Sequence, residues 1–342
     1  MAENSKIEWT DHTFNPWEGC QKVGPGCDHC YAETRNARFG AGRAINWGPG
    51  APRRRTSAAN WRQPLQWNAA AERLGVRYRV FCASLADVFD NQVPAAWLAD
   101  LLTLINATPN LDWLLLTKRI GNFWDRMHAA GVVLNQRNEV GGGSAGDMAE
   151  GWLQQQPPEN VWLGTTICNQ AESDRDIPKL LAMPAAKRFL SMEPLLGPVD
   201  IVPFIGGRAI QCGCGFRRDE VGLVGATLAT EGCAYCNKKT VTWPSVDWVI
   251  VGGESGPGAR PMHPAWAGSL RDQCQAAGVP FFFKQWGDWA PELSGRPGWD
   301  PTSGREHLFQ DGPEDAHTLM TLVGKKAAGR LLDGRTWDEV PL

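Results

Sequence analysis

The sequence lacks any apolar run near the roughly 18 residues that a membrane-spanning helix needs. Its opening stretch, MAENSKIEWTDHTF, has neither the basic segment nor the apolar core of a signal peptide. We therefore expect a cytoplasmic protein without membrane partners.

An excess of one charge is also missing, since 34 basic and 37 acidic residues leave a formal net charge of −3. No global positive field favours nucleic-acid binding, so any such binding must be local.

Cysteine is too sparse for a disulfide scaffold, with ten in a chain of 342 residues, but seven of the ten are clustered. Clustering suits metal ligation in a reducing compartment better than oxidative cross-linking. The clustered residues form two groups: Cys20, Cys27 and Cys30, and further along Cys212, Cys214, Cys233 and Cys236.

Short, continuously apolar runs recur along the chain and predict strands that are buried on both faces. They occupy 78–84, 112–119, 161–167, 187–195, 247–256 and 280–287, and helical spacing appears between them at 94–108 and 264–278. The alternation predicts an α/β fold, a partial or complete (β/α) TIM-like barrel of about six to eight parallel strands. We assign the barrel to 1–205 and 243–292, a metal-binding insertion to 206–242 and an appendage to 293–342.

Each predicted strand ends in polar residues, and in a (β/α) barrel the carboxyl ends of the strands form the active-site face. The alternative for any one residue is that it is polar because it lies in a solvent-exposed loop, or that it forms a structural ion pair. The catalytic candidates are Lys118, Glu193, Glu254 and Lys284, and the cofactor-binding candidates are Ser84, Asp87 and Thr166.

Three segments interrupt the alternation. The basic segment 40–64 contains arginines at 53–55, which we interpret as exposed, with phosphate contact as the alternative. Segment 137–160 is predicted to be a flexible insertion. Segment 206–242 carries the second cysteine group, whose two close pairs predict a zinc-ribbon-like site for one tetrahedral Zn²⁺. A second iron–sulfur cluster or an unoccupied thiol group remain alternatives there.

The first cysteine group, Cys20-x6-Cys27-x2-Cys30, has two interpretations. A zinc site needs a fourth ligand, which His12 or His29 could supply. A [4Fe–4S] cluster held by three thiolates leaves one iron open to a small chelating molecule. The number of cysteines favours the cluster, because three is then the functional number.

Three cysteines after the first short strand of a partial barrel resemble the radical S-adenosylmethionine (SAM) superfamily, whose usual motif is Cys-x3-Cys-x2-Cys. The segments IEWTDHTFNPWEGCQKVGPGCDHCYAE, FCASLADVF, LLLTKR, LGTTICNQ, FLSMEPLLG, VIVGGESG and PFFFKQWG resemble an uncharacterised bacterial and phage family of three-Cys-motif proteins, close to spore photoproduct lyase. The six-residue gap departs from the usual motif. The superfamily's Gly-Gly-Glu normally ends the second strand, whereas here it ends a late one, at 252–254.

The resemblance implies an enzyme that reductively cleaves SAM at a [4Fe–4S] cluster and abstracts hydrogen from an unidentified substrate, a nucleoside or nucleic acid being one class. It implies an external one-electron donor of the flavodoxin or ferredoxin type. Ser84 and Asp87 are then candidates for the SAM ammonium group, and Thr166, Glu193 and Glu254 for SAM or substrate. Lys118 and Lys284 are candidates for a carboxylate or phosphate. The alternatives are a non-catalytic zinc-binding barrel that binds nucleic acid or a partner, and a barrel hydrolase or lyase using carboxylates.

Overall fold

A computed structural model describes residues 5, 7–206, 209–210, 227–232, 239–242, 244–291, 305–310 and 317–341. Its strands are β1 (His12–Thr13), β2 (Trp17–Glu18), β3 (Arg54–Arg55), β4 (Tyr78–Cys82), β5 (Leu111–Thr117), β6 (Val161–Thr166), β7 (Lys187–Met192), β8 (Ala209–Ile210), β9 (Thr227–Gly232), β10 (Lys239–Thr242), β11 (Trp248–Gly252), β12 (Phe281–Gln285), β13 (Trp289–Pro291), β14 (Glu306–Phe309) and β15 (Thr318–Leu322). Its helices are α1 (Tyr31–Phe39), α2 (Ala58–Leu74), α3 (Ala95–Asn106), α4 (Phe123–Gln136), α5 (Ala145–Leu153), α6 (Gln170–Ala182), α7 (Pro264–Ala277) and α8 (Lys325–Ala328).

A seven-stranded sheet in the order β1-β4-β5-β6-β7-β11-β12 forms the centre of the protein, and all its neighbouring strands run parallel. Each of the six apolar runs contains one of these strands, so the predicted α/β fold with a parallel sheet is confirmed. The two predicted helices are also present, as α3 and α7. Within the described residues, β1 and β12 do not pair with each other, so the sheet is open.

The sheet curls around Trp9, which precedes β1. The ring centroid of Trp9 lies 4.8 Å from that of Phe81 on β4 and 6.0 Å from that of Trp248 on β11. These two strands are four positions apart in the sheet, which corresponds to about 19 Å if the sheet is flat. One indole contacts both only because the sheet is curved into a half-barrel. Other large side chains fill the same concave face, among them Leu114, Trp162, Phe189, Ile250 and Phe282.

The helices cover the convex face and form the larger part of the core. Helix α2 begins after Ser57, whose hydroxyl accepts a hydrogen bond from the backbone N–H of Asn60, and it ends at Gly75, whose φ of 64° suits a glycine. Its buried side includes Trp67 and Ala71, which pack into the core on this face of the sheet. Helix termini and apolar spacing therefore specify this layer locally.

Two segments predicted as loops are more ordered than the sequence indicated. Segment 137–160 contains helix α5, which begins with a capping box between Ser144 and Asp147, so the prediction of a flexible insertion is wrong there. In segment 40–64 the prediction of exposed arginines is wrong for Arg53, which is buried. Arg54 is exposed, as expected.

The described parts of 206–242 form an antiparallel sheet in the order β8-β10-β9. The second cysteine group, Cys212, Cys214, Cys233 and Cys236, lies outside the described residues, so its predicted zinc site stays a prediction. Near the C-terminus, the backbone N–H of Phe283 on β12 donates to Trp337 O, and Trp248 Nε1 donates to Glu339 O. The final residues thus line the β12 edge of the sheet. In the described part of the chain, no helix has both the length and the apolar character needed to cross a membrane.

Candidate functional site

A cavity of about 510 Å³ opens at the carboxyl ends of the parallel strands. It brings together residues that are far apart in the sequence, because every strand of a parallel sheet ends on the same side. The lining includes each strand-end candidate and the first cysteine group: Ser84, Asp87, Lys118, Thr166, Glu193, Glu254, Lys284, Cys20, Cys27 and Cys30. The apolar rings of Trp9 and Phe81 also line this cavity.

The cysteine loop, residues 20–30, is packed closely against the loop that follows β6. A Cβ atom on Gly26 would overlap the Cys168 sulfur, and one on Gly24 would overlap the Glu172 carboxylate. The Glu172 carboxylate also accepts a hydrogen bond of 2.8 Å from the Cys168 backbone N–H. The glycines of the GPG turn therefore allow the six-residue gap between Cys20 and Cys27, which then leads directly into Cys30 and helix α1.

The side chains in and around the cysteine loop do not form a single-ion site within the described residues. Among the described residues, no three His, Cys, Asp or Glu side chains are close enough to share one ion. His12, one proposed fourth ligand, stacks on Trp67 with ring centroids 4.3 Å apart and is not part of the cavity lining. His29, the other, lines the cavity but contacts Glu254 through Nδ1 at 2.9 Å. The three thiols instead border an open volume.

Two thiols of this loop, those of Cys20 and Cys30, have pKa values that favour the neutral form. Burial raises the pKa of Cys20 to about 11 and also raises the pKa of Cys30. Arg119 opposes this effect at Cys20, because its Nη1 donates to the Cys20 sulfur at 3.3 Å. Any metal that binds here must therefore displace thiol protons, and the adjacent guanidinium favours the resulting thiolate.

Asp87 holds Arg119 in place. Its carboxylate accepts hydrogen bonds from the Thr117 hydroxyl at 2.7 Å and from the backbone N–H groups of Phe89 and Lys118 at 3.0 and 2.8 Å. The same carboxylate pairs with Arg119 Nη1 at 3.2 Å. Asp87 thus links the end of β4 to the end of β5, and its acceptor positions are already occupied.

Lys118 and Lys284 have different surroundings. Lys284 Nζ donates to both carboxylate oxygens of Glu193, at 2.8 and 2.6 Å, and Gln285 Nε2 donates to the same carboxylate at 3.0 Å. Lys118 has no acidic side chain within ion-pair distance in the described part of the chain. Burial opposes its charge, but the Asp87 carboxylate and Cys168, Cys27 and Cys30 in their thiolate forms outweigh burial, and the pKa of Lys118 is raised. Lys118 is therefore a buried cation that is available to an anion in the cavity.

Glu254 clamps the cysteine loop from the opposite side of the cavity. Its carboxylate accepts from His29 Nδ1, and from the backbone N–H, Nε and Nη2 of Arg260 at 2.8, 2.9 and 2.7 Å. Arg260 Nη2 also donates to Pro25 O at 2.9 Å. Burial alone raises the pKa of Glu254, but the hydrogen bonds from Arg260 and His29 outweigh burial and lower it. Glu254 is therefore an ionised anchor for the loop.

The hydroxyl groups that line the cavity are also of two kinds: some are hydrogen-bonded within the fold, and others are available to a ligand. Ser84 Oγ exchanges hydrogen bonds with the Asn15 side chain, and Ser84 O accepts from the Tyr31 hydroxyl at 2.7 Å. Thr166 and Ser191 are partners in the register of β6 and β7 and are both buried. Neither hydroxyl has a hydrogen-bond partner among the described residues, and both line the cavity. They are available to a ligand, whereas Ser84 is engaged.

The sequence matches the model of a protein family over residues 4–341, and that family is described as a protein of unknown function, DUF5131. The chain belongs to this family. No curated protein and no solved structure matches it. The match extends over both the cysteine loop and the parallel strands, so the site described above lies wholly within the DUF5131 region.

Several residues of this DUF5131 site were not among the candidates chosen from the sequence. Arg119 and Arg260 contact the cysteine loop from the ends of β5 and β11, and Cys168 packs beneath its turn. Arg119 directly follows the candidate Lys118, which is a positional signal, since both follow one strand. Arg260 carried no such signal, because its partner Pro25 is 235 residues away.

Proposed function

We propose that the protein is a radical SAM enzyme that holds a [4Fe–4S] cluster through Cys20, Cys27 and Cys30 and binds SAM and a substrate in the adjoining cavity. The observation that carries the proposal is the convergence of three cysteines from one loop on the cavity into which the ends of a parallel half-barrel project. The resemblance to the three-Cys-motif family supports the same assignment.

The donor set suits a cluster better than a single ion. Each cysteine of a [4Fe–4S] cluster binds a different iron, so the sulfurs must surround a volume. Arg119 at Cys20, together with Lys118 near Cys27 and Cys30, supplies positive charge where three thiolates would otherwise repel each other. When bound, such a cluster supplies the electron, received from a flavodoxin- or ferredoxin-type donor, that splits SAM into methionine and a 5′-deoxyadenosyl radical that abstracts hydrogen.

The chain's own residues bind and orient the ligand and shield it from water. Lys118 is an available cation for a carboxylate or phosphate, and the Thr166 and Ser191 hydroxyls can hydrogen-bond a polar ligand. Trp9 and Phe81 provide an apolar floor that excludes water from reactive species. Asp87, Glu193 and Glu254 lie at the site with their carboxylates already paired, and we assign them to positioning rather than to proton transfer.

Iron binding tests the proposal directly. Protein purified and reconstituted without oxygen should be brown, absorb at about 400 nm and contain about four iron per chain. Cys27→Ala should remove the iron and the reductive cleavage of SAM. Cys274→Ala is the matched control, since Cys274 is a buried cysteine of α7 that does not line the cavity, and it should retain both.

Two results would contradict the assignment. A colourless protein with about two zinc per chain would favour the non-catalytic zinc-binding barrel instead. Reductive SAM cleavage that survives Cys27→Ala would remove the assigned role of the triad.

We also assign Zn²⁺ to Cys212, Cys214, Cys233 and Cys236 in a zinc-ribbon-like insertion. That assignment predicts about one zinc per chain, lost in a Cys233→Ser/Cys236→Ser variant while iron at the first site remains.

A further inference from the structure

A concentration of arginines lies beside the cavity, although the chain as a whole is slightly acidic. Residues 31–55, which we term the arginine ridge, contain six arginines and a single acidic residue, Glu33, in a chain of net charge −3. Four of these arginines pair with acidic side chains from outside the ridge: Arg35 and Arg54 with Glu18, Arg53 with Asp90, and Arg55 with Asp100. The ridge consists of helix α1, the loop that returns from it and strand β3. Arg38 and Arg43 keep no acidic partner among the described residues, and these two cations can attract anions locally even though the global charge does not.

The arginine ridge starts and returns at the rim of the cavity. Tyr31, at the start of α1, and Trp47, in the returning loop, both line the cavity. The loop is fixed to the helix by the Asn36 side chain, which bonds both the side chain and the backbone N–H of Asn46 at 3.1 and 3.2 Å. It is fixed to the cysteine loop by the Gly48 N–H, which donates to Cys20 O at 2.9 Å. The ridge is therefore an ordered extension of the site.

Its outer surface combines apolar groups with cations that the fold does not use. Phe39 is 75% exposed and Ile45 is 62% exposed, and the Arg35 guanidinium lies 5.1 Å from the centre of the Phe39 ring. Arg38 and Arg43 are exposed and have no acidic partner within the described residues. An exposed aromatic ring beside exposed arginines offers a ligand both an apolar and a charged contact.

We propose that the arginine ridge binds single-stranded nucleic acid. Arginines pair with backbone phosphates, and an exposed aromatic ring offers a face on which an unpaired base stacks. From Tyr31 to Phe39 helix α1 extends about 12 Å, so a strand that is stacked at Phe39 reaches the cavity rim within a few nucleotides. Lys325, which is exposed on α8, lines the cavity as well and adds positive charge to its rim. The arginine ridge can bind single-stranded nucleic acid without an iron–sulfur cluster. The further step, in which a nucleotide enters the cavity and reacts, rests on the proposed function.

A duplex and an anionic membrane are the competing ligands for such a surface. A duplex keeps its bases stacked on each other, which leaves Phe39 without a partner. Binding to a membrane surface needs a broad apolar helix face, whereas the exposed large apolar side chains of helix α1 are Tyr31 and Phe39, at its two ends. Both are included in the test as outcomes that overturn the proposal.

The test is fluorescence anisotropy with the anaerobically purified full chain and a labelled oligothymidylate of about 12 nucleotides, between about 50 and 200 mM salt. Arg38→Gln and Arg43→Gln should each reduce the slope of log affinity against log salt by about 0.7. Phe39→Ala should weaken binding by about fivefold or more. Arg73→Gln is the matched control, because Arg73 is an exposed arginine at the end of α2 without an acidic partner in the described residues, and it should bind as the wild type does.

The proposal is overturned by absence of oligonucleotide binding, by binding that these three ridge variants leave unchanged, or by tighter binding of the matching duplex. Binding to vesicles of anionic phospholipid that the ridge variants abolish, without oligonucleotide binding, also overturns it. Because the assay contains no SAM and is repeated after Cys27→Ala, its result is independent of the proposed chemistry. Loss of iron with retained oligonucleotide binding therefore separates a failure of one proposal from a failure of the other.

Discussion

Arg53 is the arginine of the triplet 53–55 that the fold buries, and its replacement should be the most costly of the three. Arg53 Nε donates to Asp90 Oδ2 at 2.7 Å, and both side chains are 0% exposed. Arg53 Nη1 also donates to Ala51 O at 2.8 Å and to Gly48 O at 3.3 Å, so it holds the loop that carries Trp47 to the cavity. Arg53→Gln leaves the buried Asp90 carboxylate and these carbonyl groups without their partner.

Breaking a buried ion pair from one side costs about 3–5 kcal/mol, which is a large part of the 5–15 kcal/mol or so that typically stabilises a domain. Urea unfolding of the wild type and Arg53→Gln measures this loss as a shift in the free energy of unfolding. Arg54→Gln is the neighbouring control. Its side chain is 63% exposed and pairs with Glu18, so its loss should stay below about 1 kcal/mol.

Two results would refute this reasoning. One is a loss for Arg53→Gln that is no larger than the loss for Arg54→Gln. The other concerns the double variant Arg53→Met/Asp90→Leu, which leaves no unpaired charge and should recover part of the stability. The reasoning fails if the double variant is less stable than Arg53→Gln by the amount that a second, independent substitution would cost. The loss of stability in Arg53→Gln would then not come from the unpaired charge.

Three further predictions concern the half-barrel and the clamp. Trp9→Ala should lower the free energy of unfolding by about 3–5 kcal/mol in urea, because it empties the concave face, and a loss under about 1 kcal/mol would contradict that role. Gly164→Ala places a methyl group against the Phe189 ring and should cost about 1–3 kcal/mol by the same assay, whereas Gly131→Ala, where a Cβ meets nothing within 4 Å, should cost nothing. For Glu254, whose native pKa is lowered from 4.5, the ionised form contributes stability above pH 4.5 that is lost as the pH falls through the native pKa. The stability advantage of the wild type over Glu254→Gln should therefore shrink in acid unfolding, and a constant advantage would contradict the clamp.

The sheet was predictable because its signal is local. Each parallel strand is buried on both faces, so it appears in the sequence as a short continuous apolar run, and the six runs correspond to β4, β5, β6, β7, β11 and β12. β1 was less visible, because its two residues are too few to form a run. The meeting of the strand-end residues at one cavity followed from topology alone, since parallel strands end on one side.

The pairing of the site residues was not predictable, because it depends on contacts between distant segments. Glu193 and Lys284 were both identified, but their sequence positions do not show that they neutralise each other. The same limit applied to the triplet 53–55, where three identical side chains differ only in what the fold places against them. Helix α5 is a different case, since Ser144 and Asp147 form a local capping signal that the surrounding glycines obscured.

The clamp on the cysteine loop has a consequence for biosynthesis. His29 and Glu254 are 225 residues apart in the chain, and Arg260 follows later still. During translation the cysteine loop therefore emerges from the ribosome long before β11, the strand that leads to Glu254. Until then the thiols of the nascent N-terminal segment are exposed and the loop lacks its Glu254 clamp. Ordering of the loop must wait until β11 has been synthesised and added to the sheet. A metal that needs the ordered loop, such as the proposed cluster, can therefore bind only at a late, post-translational stage.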